Sequence, residues 1–158
     1  IKQNVLYSTT LPEFYDRNGD VLTYSVTGLP PGLSFNAGNR LLSGTPTVPG
    51  TWTVTYQATD GGQSTATTFT IQVLANTAPN SVPISAKIAG VGGNVLLALP
   101  AFSDPDGDQL TYSISNLPPG LSFDSNNRRI TGAPTTQGSW TVTYTATDGR
   151  GGTASVQF

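Results

Sequence analysis

Phe102-Ser103-Asp104-Pro105-Asp106-Gly107-Asp108, followed by Leu110-Thr111-Tyr112-Ser113-Ile114, is the stretch from which the fold is read. Leu110, Tyr112 and Ile114 alternate with Thr111 and Ser113, the period of a half-buried strand. Ahead of that strand, Asp104, Asp106 and Asp108 occupy every second position of a Pro/Gly turn. Carboxylates at such spacing repel one another unless a cation or hydrogen-bond donors stand between them. The chain therefore places a negative cluster at the end of a rigid strand.

It does so twice. Phe14-Tyr15-Asp16-Arg17-Asn18-Gly19-Asp20 precedes Leu22-Thr23-Tyr24-Ser25-Val26, and Asp16 and Asp104 stand 88 positions apart. At the same offset Leu29-Pro30-Pro31-Gly32-Leu33-Ser34-Phe35 recurs as Leu117 to Phe123, Trp52 to Tyr56 as Trp140 to Tyr144, and Ala58 to Gly61 as Ala146 to Gly149. A fixed period over most of the chain means two copies of one folding unit. The copies divide at a short linker, giving units 1–75 and 76–158. Ile1 matches about Ala89, so the first copy is expected to lack the opening segment. Phe158 matches Phe69 after a one-residue insertion, so the second copy's last strand is expected to be cut short of its counterpart to Thr70–Val73. The chain thus reads as a piece of a longer protein.

Within each copy the alternation marks about seven short strands separated by Gly, Pro, Ser, Thr and Asn turns. In the first they are expected near 5–11, 22–26, 33–35, 40–43, 52–59 and 66–73. The expectation is all-β: two tandem Ig-like Greek-key β-sandwiches, with Trp52 and Trp140 buried in corresponding cores. A closed barrel is the poorer alternative. Of 158 residues only 10% are charged and the net charge is −2, which offers no surface for nucleic acid or anionic membrane. No apolar run is long enough to insert in a membrane. There is no His and no Cys, and Glu13 is the only Glu, so the usual general bases and nucleophile partners of an enzyme are missing.

The acids are distributed unevenly. Glu13, Asp16, Asp20 and Asp60 fall in one group and Asp104, Asp106, Asp108 and Asp148 in another, with Asp124 alone outside. An Asp-x-Asp loop plus one Asp from a distant loop supplies the core of a calcium shell of six to eight oxygens. An EF-hand is excluded, because the twelfth position from Asp104 is Ser115. On the loop alone a solvated turn is the plainer reading, since Asp, Pro and Gly are turn residues.

Taken together, the Phe-x-Asp-Pro-Asp-Gly-Asp-x-Leu-Thr-Tyr-Ser stretch, Leu-Pro-Pro-Gly-Leu-Ser-Phe, Ile130-Thr131-Gly132-Ala133-Pro134-Thr135 and Ala-Thr-Asp-Gly resemble dystroglycan-type cadherin-like domains, a group that also takes in the Putative Ig domains of bacterial surface proteins. The resemblance covers both copies. It implies calcium at the N-terminal pole of the second unit, held by Asp104, Asp106 and Asp148, with Asp108, the linker Asn76 and the Thr77 carbonyl beside them. A second, weaker site is implied at Asp16, Asn18, Asp20 and Asp60, where Asn18 replaces an acid and Arg17 adds a positive charge. True cadherins carry an acidic motif where this chain has Ser43-Gly44-Thr45-Pro46-Thr47, so fewer ions are expected.

The function implied is a calcium-binding structural or adhesive repeat of an extracellular bacterial surface or secreted protein, with the junction between repeats stiffened by Ca2+. Its partners would be neighbouring repeats and a cell-surface polysaccharide or protein. The alternative is a carbohydrate-binding module, for which Tyr7 and Tyr15 are the candidate contacts because the second copy has no aromatic at their positions. Arg128-Arg129 reads as a solvated basic pair, and Arg150 as the surface partner of Asp148.

Overall fold

The computed structural model describes residues Ile1–Phe158 as twelve strands and no helix, so no helix is present that could cross a membrane. The chain divides into two compact units, Ile1–Asn76 and Thr77–Phe158. Each is an Ig-like β-sandwich of two three-stranded sheets.

In the first unit β1 (Tyr7–Thr10), β4 (Leu41–Gly44) and β3 (Leu33–Asn36) form one sheet, in the order β1-β4-β3. The other sheet is β2 (Thr23–Thr27), β5 (Gly50–Thr59) and β6 (Ser64–Val73), in the order β2-β5-β6. All pairings are antiparallel, and β1 pairs with β4, not with its sequence neighbour β2, so the chain crosses between sheets as a Greek key does. Alternation sends Val54, Ile71, Val73 and Leu42 inward, where they are buried and packed by Ile1, Tyr7, Leu29, Leu33, Phe35, Trp52 and Phe69. Each such apolar side chain contributes about 1.5–3 kcal/mol on burial. Tyr56, fully buried, stacks on Tyr24 and meets Phe14 and Phe35. Its hydroxyl donates to the Pro12 carbonyl at 2.9 Å.

The second unit repeats the plan. β7 (Val95–Ala98), β10 (Arg129–Gly132) and β9 (Leu121–Asp124) form one sheet, and β8 (Thr111–Ser115), β11 (Thr143–Thr147) and β12 (Thr153–Gln157) the other. Its core gathers Leu99, Phe102, Ile130, Tyr144 and Ala146, and Tyr144 stacks on Tyr112 as Tyr56 does on Tyr24. The Leu-Pro-Pro-Gly-Leu turn has a steric reason. Gly32 and Gly120 sit at φ 92° and 89°, and a Cβ at either would run into the carbonyl oxygen of Thr45 or Ala133.

Three expectations need correction. Trp52 and Trp140 are both only half-buried: Trp52 packs at the margin of the first core and Trp140 stands on the rim of an apolar groove. Tyr7 packs against the first core instead of offering an exposed contact, since its strand turns it inward. Arg128 is not simply solvated: its guanidinium lies 5.5 Å from the Tyr112 ring centre, as Arg40 does over Tyr24.

Candidate functional site

In the second unit the acidic loop folds around Asp104. Its Oδ1 accepts the backbone N–H groups of Asp106 and Asp108 at 2.9 and 3.1 Å, and Gly107 N–H closes the turn on the Asp104 carbonyl at 3.2 Å. This local bonding is what Asp does in turns, and it points the three side chains to one place. One carboxylate oxygen from each of Asp104, Asp106 and Asp108 lies within 4.8 Å of the others. Calcium–oxygen distances of about 2.3–2.6 Å put two ligands of one ion up to about 5 Å apart, so the spacing fits a shared cation. Asp104 Oδ2 is buried and meets no hydrogen-bond donor, the state of an oxygen left for such a ligand.

The segment entering the unit is tied to this loop. Thr77 donates its backbone N–H to Asp106 Oδ2 at 2.7 Å, and Asn80 and Ser103 exchange backbone hydrogen bonds at 2.7 and 3.3 Å. The sequence reading nominated the Thr77 carbonyl; the group found on a carboxylate is its N–H. Asn76 closes the first unit, and its N–H donates to Gln3 Oε1 at 3.3 Å. Asp148 is buried, but it stands outside the close trio, since its Oδ1 accepts N–H groups of Arg150 and Gly152 at 2.7 and 3.0 Å.

Arg150 is the residue whose role the sequence concealed. Its guanidinium forms an ion pair with Asp108, whose side chain is 5% exposed against 19% for Arg150. This is a desolvated pair within the acid cluster, where adjacency had suggested a surface pair with Asp148. Arg150 lies in the loop that carries the one-residue insertion, so a gap in the repeat was the only signal.

The first unit builds the same turn, with Asp16 Oδ1 accepting N–H groups of Asn18 and Asp20 at 2.8 and 3.1 Å. Here the distant loop does contribute, because Asp16, Asp20 and Asp60 converge within 4.8 Å. The Gln63 and Gly62 N–H groups on Asp60 hold its carboxyl below the usual carboxylate range. Asn18 and Arg17 are exposed, and Glu13 leaves the cluster to pair with Arg40 at 2.8 Å. Beside this loop an open hollow of about 550 Å³ is lined by Tyr15, Asp16, Asp20, Tyr24 and Arg40, and Tyr15 is 89% exposed on it.

Two sandwiches with one pattern of turns, cores and acidic loops have a counterpart among known families. The family described as "Putative Ig domain" matches residues 1–74 and again residues 76–158. The chain belongs to this family. As a tandem of these Ig domains it is also similar to proteins of Staphylococcus aureus named "Serine-rich adhesin for platelets". The relatives from strains MRSA252 and MW2 are each 38% identical over 144 residues, 90% of this chain. The chain spans only 11% and 6% of their respective lengths. Among solved structures, an endo-fucoidan hydrolase of glycoside hydrolase family 107, MfFcnA4, superposes over 99% of the Ig tandem and 26% of its own chain, at 21% identity and a TM-score of 0.48. Human protocadherin-24 EC1-2 superposes over 90% of this chain and 84% of its own, at 14% identity and a TM-score of 0.39. Both likenesses are too loose to say what this chain binds.

Proposed function

We propose that the chain is a pair of structural repeats from an extracellular surface adhesin, and that the acidic pole of the second unit takes Ca2+. The observation that carries the calcium reading is the convergence of Asp104, Asp106 and Asp108 around a buried Asp104 oxygen with no donor. The surface location and adhesive setting rest on the similarity to the staphylococcal adhesins over 90% of the chain. With an ion at the trio, Asp106 would bind it while accepting Thr77 N–H, so the metal would stiffen the segment entering the second unit. The first-unit trio is the weaker site, because Asp20 is exposed where its counterpart Asp108 is half-buried. Affinity in such sites follows ligand charge and rigidity, and extracellular modules bind at about 10⁻⁴–10⁻³ M. A glycan platform finds less support, since it needs several coplanar exposed aromatics and Tyr15 stands alone.

Calorimetric titration with Ca2+ tests the reading, using Asp104→Ala/Asp106→Ala and Asp16→Ala/Asp20→Ala variants. The first should abolish the tighter event and the second leave it. Arg150→Gln should tighten it by about tenfold or more, since a cation competing for Asp108 in a desolvated setting is removed. Scattering in calcium and in chelator should give a narrower distribution of sizes with the ion. No heat from the wild type up to about 10 mM Ca2+, well above the range for such modules, would sink the proposal.

A further inference from the structure

Asn18 is the only asparagine of the chain that is followed by glycine. It stands in the middle of the first acidic loop, 88 positions before Asp106, so the two loops read Asp-Arg-Asn-Gly-Asp and Asp-Pro-Asp-Gly-Asp. The Asn18 side chain is exposed and its amide makes no hydrogen bond. Its backbone N–H is held by Asp16 Oδ1 at 2.8 Å, and that of Asp20 by the same oxygen at 3.1 Å. Between these two anchors the N–H of Gly19 is bonded to nothing. In the second unit the equivalent N–H is engaged, since Gly107 donates to the Asp104 carbonyl at 3.2 Å. Gly19 lies at φ 79°, with nothing within 4 Å of where a Cβ would stand. A backbone nitrogen without a hydrogen bond and without a side chain beside it thus follows an unengaged amide.

We propose that Asn18 is a self-modification site, at which the chain converts its own amide to a carboxylate. The Gly19 nitrogen gives up its proton to solvent base and attacks Asn18 Cγ. The new C–N bond closes a five-membered imide, and the side-chain nitrogen takes up a proton and leaves as ammonia. Water then adds at Cγ and breaks the bond just formed, which puts a proton back on the Gly19 nitrogen and leaves Asp in place of Asn. Water is the only co-reactant and ammonia the only leaving group. Glycine suits the attacking position because no Cβ crowds the ring and its backbone is free to turn. Opening at the other imide carbonyl would give isoaspartate and put an extra methylene carbon into the main chain, between the two N–H groups that Asp16 holds. The turn therefore selects the opening that keeps the backbone its length.

The product loop, Asp-Arg-Asp-Gly-Asp, has the three acids of its counterpart. On the calcium reading above, from which this consequence follows, the first pole gains a carboxylate and its affinity rises toward that of the second. The step runs one way, so the age of the chain is recorded in the charge of one loop.

The test is to hold the folded chain in warm, mildly alkaline buffer and map its tryptic peptides by mass at intervals, with standards separating aspartate from isoaspartate. The tryptic peptide 18–40 should exchange the mass of an amide for that of a carboxyl, placed at residue 18 by fragmentation and mainly as aspartate. The other asparagines should stay amides over the same time, and Asn18→Gln should keep its amide because its ring would need six members. Conversion no faster at Asn18 than at the other asparagines, or isoaspartate as the main product, overturns the proposal. Calcium calorimetry of Asn18→Asp is read separately, and the weaker event should tighten about tenfold with the added carboxylate. An unchanged weaker event in a chain that does bind calcium would overturn the ligand role of residue 18. A converted Asn18 with no calcium heat in any form would strike the calcium reading alone, since the mass readout contains no metal.

Discussion

The two acidic loops share their first half and differ in their second, and the difference comes from one inserted residue. Asp16 and Asp104 build the same turn from the same backbone donors. The hairpin loop that faces the first is Asp60 to Gln63, and the one that faces the second is Asp148 to Gly152. The shorter loop leaves Asp60 half-buried with Asp16 and Asp20. The longer one buries Asp148 and brings Arg150 onto Asp108. One pole is therefore a set of three acids with Asp20 exposed, and the other a half-buried set in which Asp108 carries its own cation. Identical motifs do not make identical sites, because what faces a loop sets its dielectric and counter-charge.

The largest contrast should come from the tryptophans. Both rings are half-buried, but Trp52 packs against the first core, whereas Trp140 lines an open groove and is not among the residues packed on the second core. Trp52→Ala should cost the first unit about 3 kcal/mol and Trp140→Ala should cost the second about 1 kcal/mol, given 3–5 for a fully enclosed aromatic. Residue-resolved hydrogen exchange under denaturant separates the units. Equal losses would mean that the groove is closed in solution.

The loop contrast can be broken at Gly152, which occupies the position of Gln63. A Cβ on Gly152 would collide with Asp148 Oδ2 and come within 2.9 Å of Ala78 Cα, and neither can yield cheaply. Gly152→Ala should destabilise the second unit by about 1–3 kcal/mol through overpacking. Gln63→Ala, on the exposed turn of the first unit, should fall within about 0.5 kcal/mol of the parent. A neutral Gly152→Ala in thermal unfolding would show that Asp148 is not held as described.

How much of this was legible follows from where each property resides. Alternation in Trp52–Thr59 and the 88-residue offset carry the strands, the sandwich and the repeat, because burial on one face is a local pattern. The turn around Asp104 was legible for the same reason. Arg150 was not: its partner Asp108 lies on another loop, and only the packing of the two loops decides which acid it meets. Trp140 reads like Trp52 in sequence, and neither ring is fully buried, because how far a ring is covered is set by elements that are not local to it. Arg128 looked solvated because a stacking partner 16 positions away, Tyr112, leaves no mark on the residues beside it.

A smaller effect tests how alike the two aromatic clusters are. Phe102 donates its backbone N–H to the Tyr112 hydroxyl at 2.9 Å, and the corresponding pair in the first unit, Phe14 and Tyr24, has no such bond. Tyr112→Phe leaves a partly buried N–H without its acceptor and should cost about 1 kcal/mol. Tyr24→Phe should be close to neutral in the same denaturant titration. Similar losses at both sites would assign the cost to the rings and not to the hydrogen bond.

The smallest predicted effect concerns Asp124 and its counterpart Asn36, which occupy matching hairpin turns. Asn36 Oδ1 accepts Gly38 N–H at 3.0 Å, and Asp124 makes the equivalent bond to Asn126 at 3.0 Å. The carboxylate adds two bonds from Asn127, one from its side chain at 2.7 Å and one from its backbone at 3.1 Å. These donors, the side chain of Asn127 foremost, hold the Asp124 carboxyl below its ordinary value of 3.8. A group whose pKa is lowered on folding contributes stability above its unfolded value, and that contribution is lost as pH falls through the folded value. The second unit should therefore carry an acid-sensitive turn, active below about pH 4, that the first lacks because an amide does not titrate. Asp124→Asn should keep the turn and remove its share of the pH dependence. Carboxyl-carbon NMR provides the check: the Asp124 midpoint should fall below 3.8. A midpoint at or above that value would mean that Asn127 does not hold the carboxylate in solution, and that the two turns behave alike.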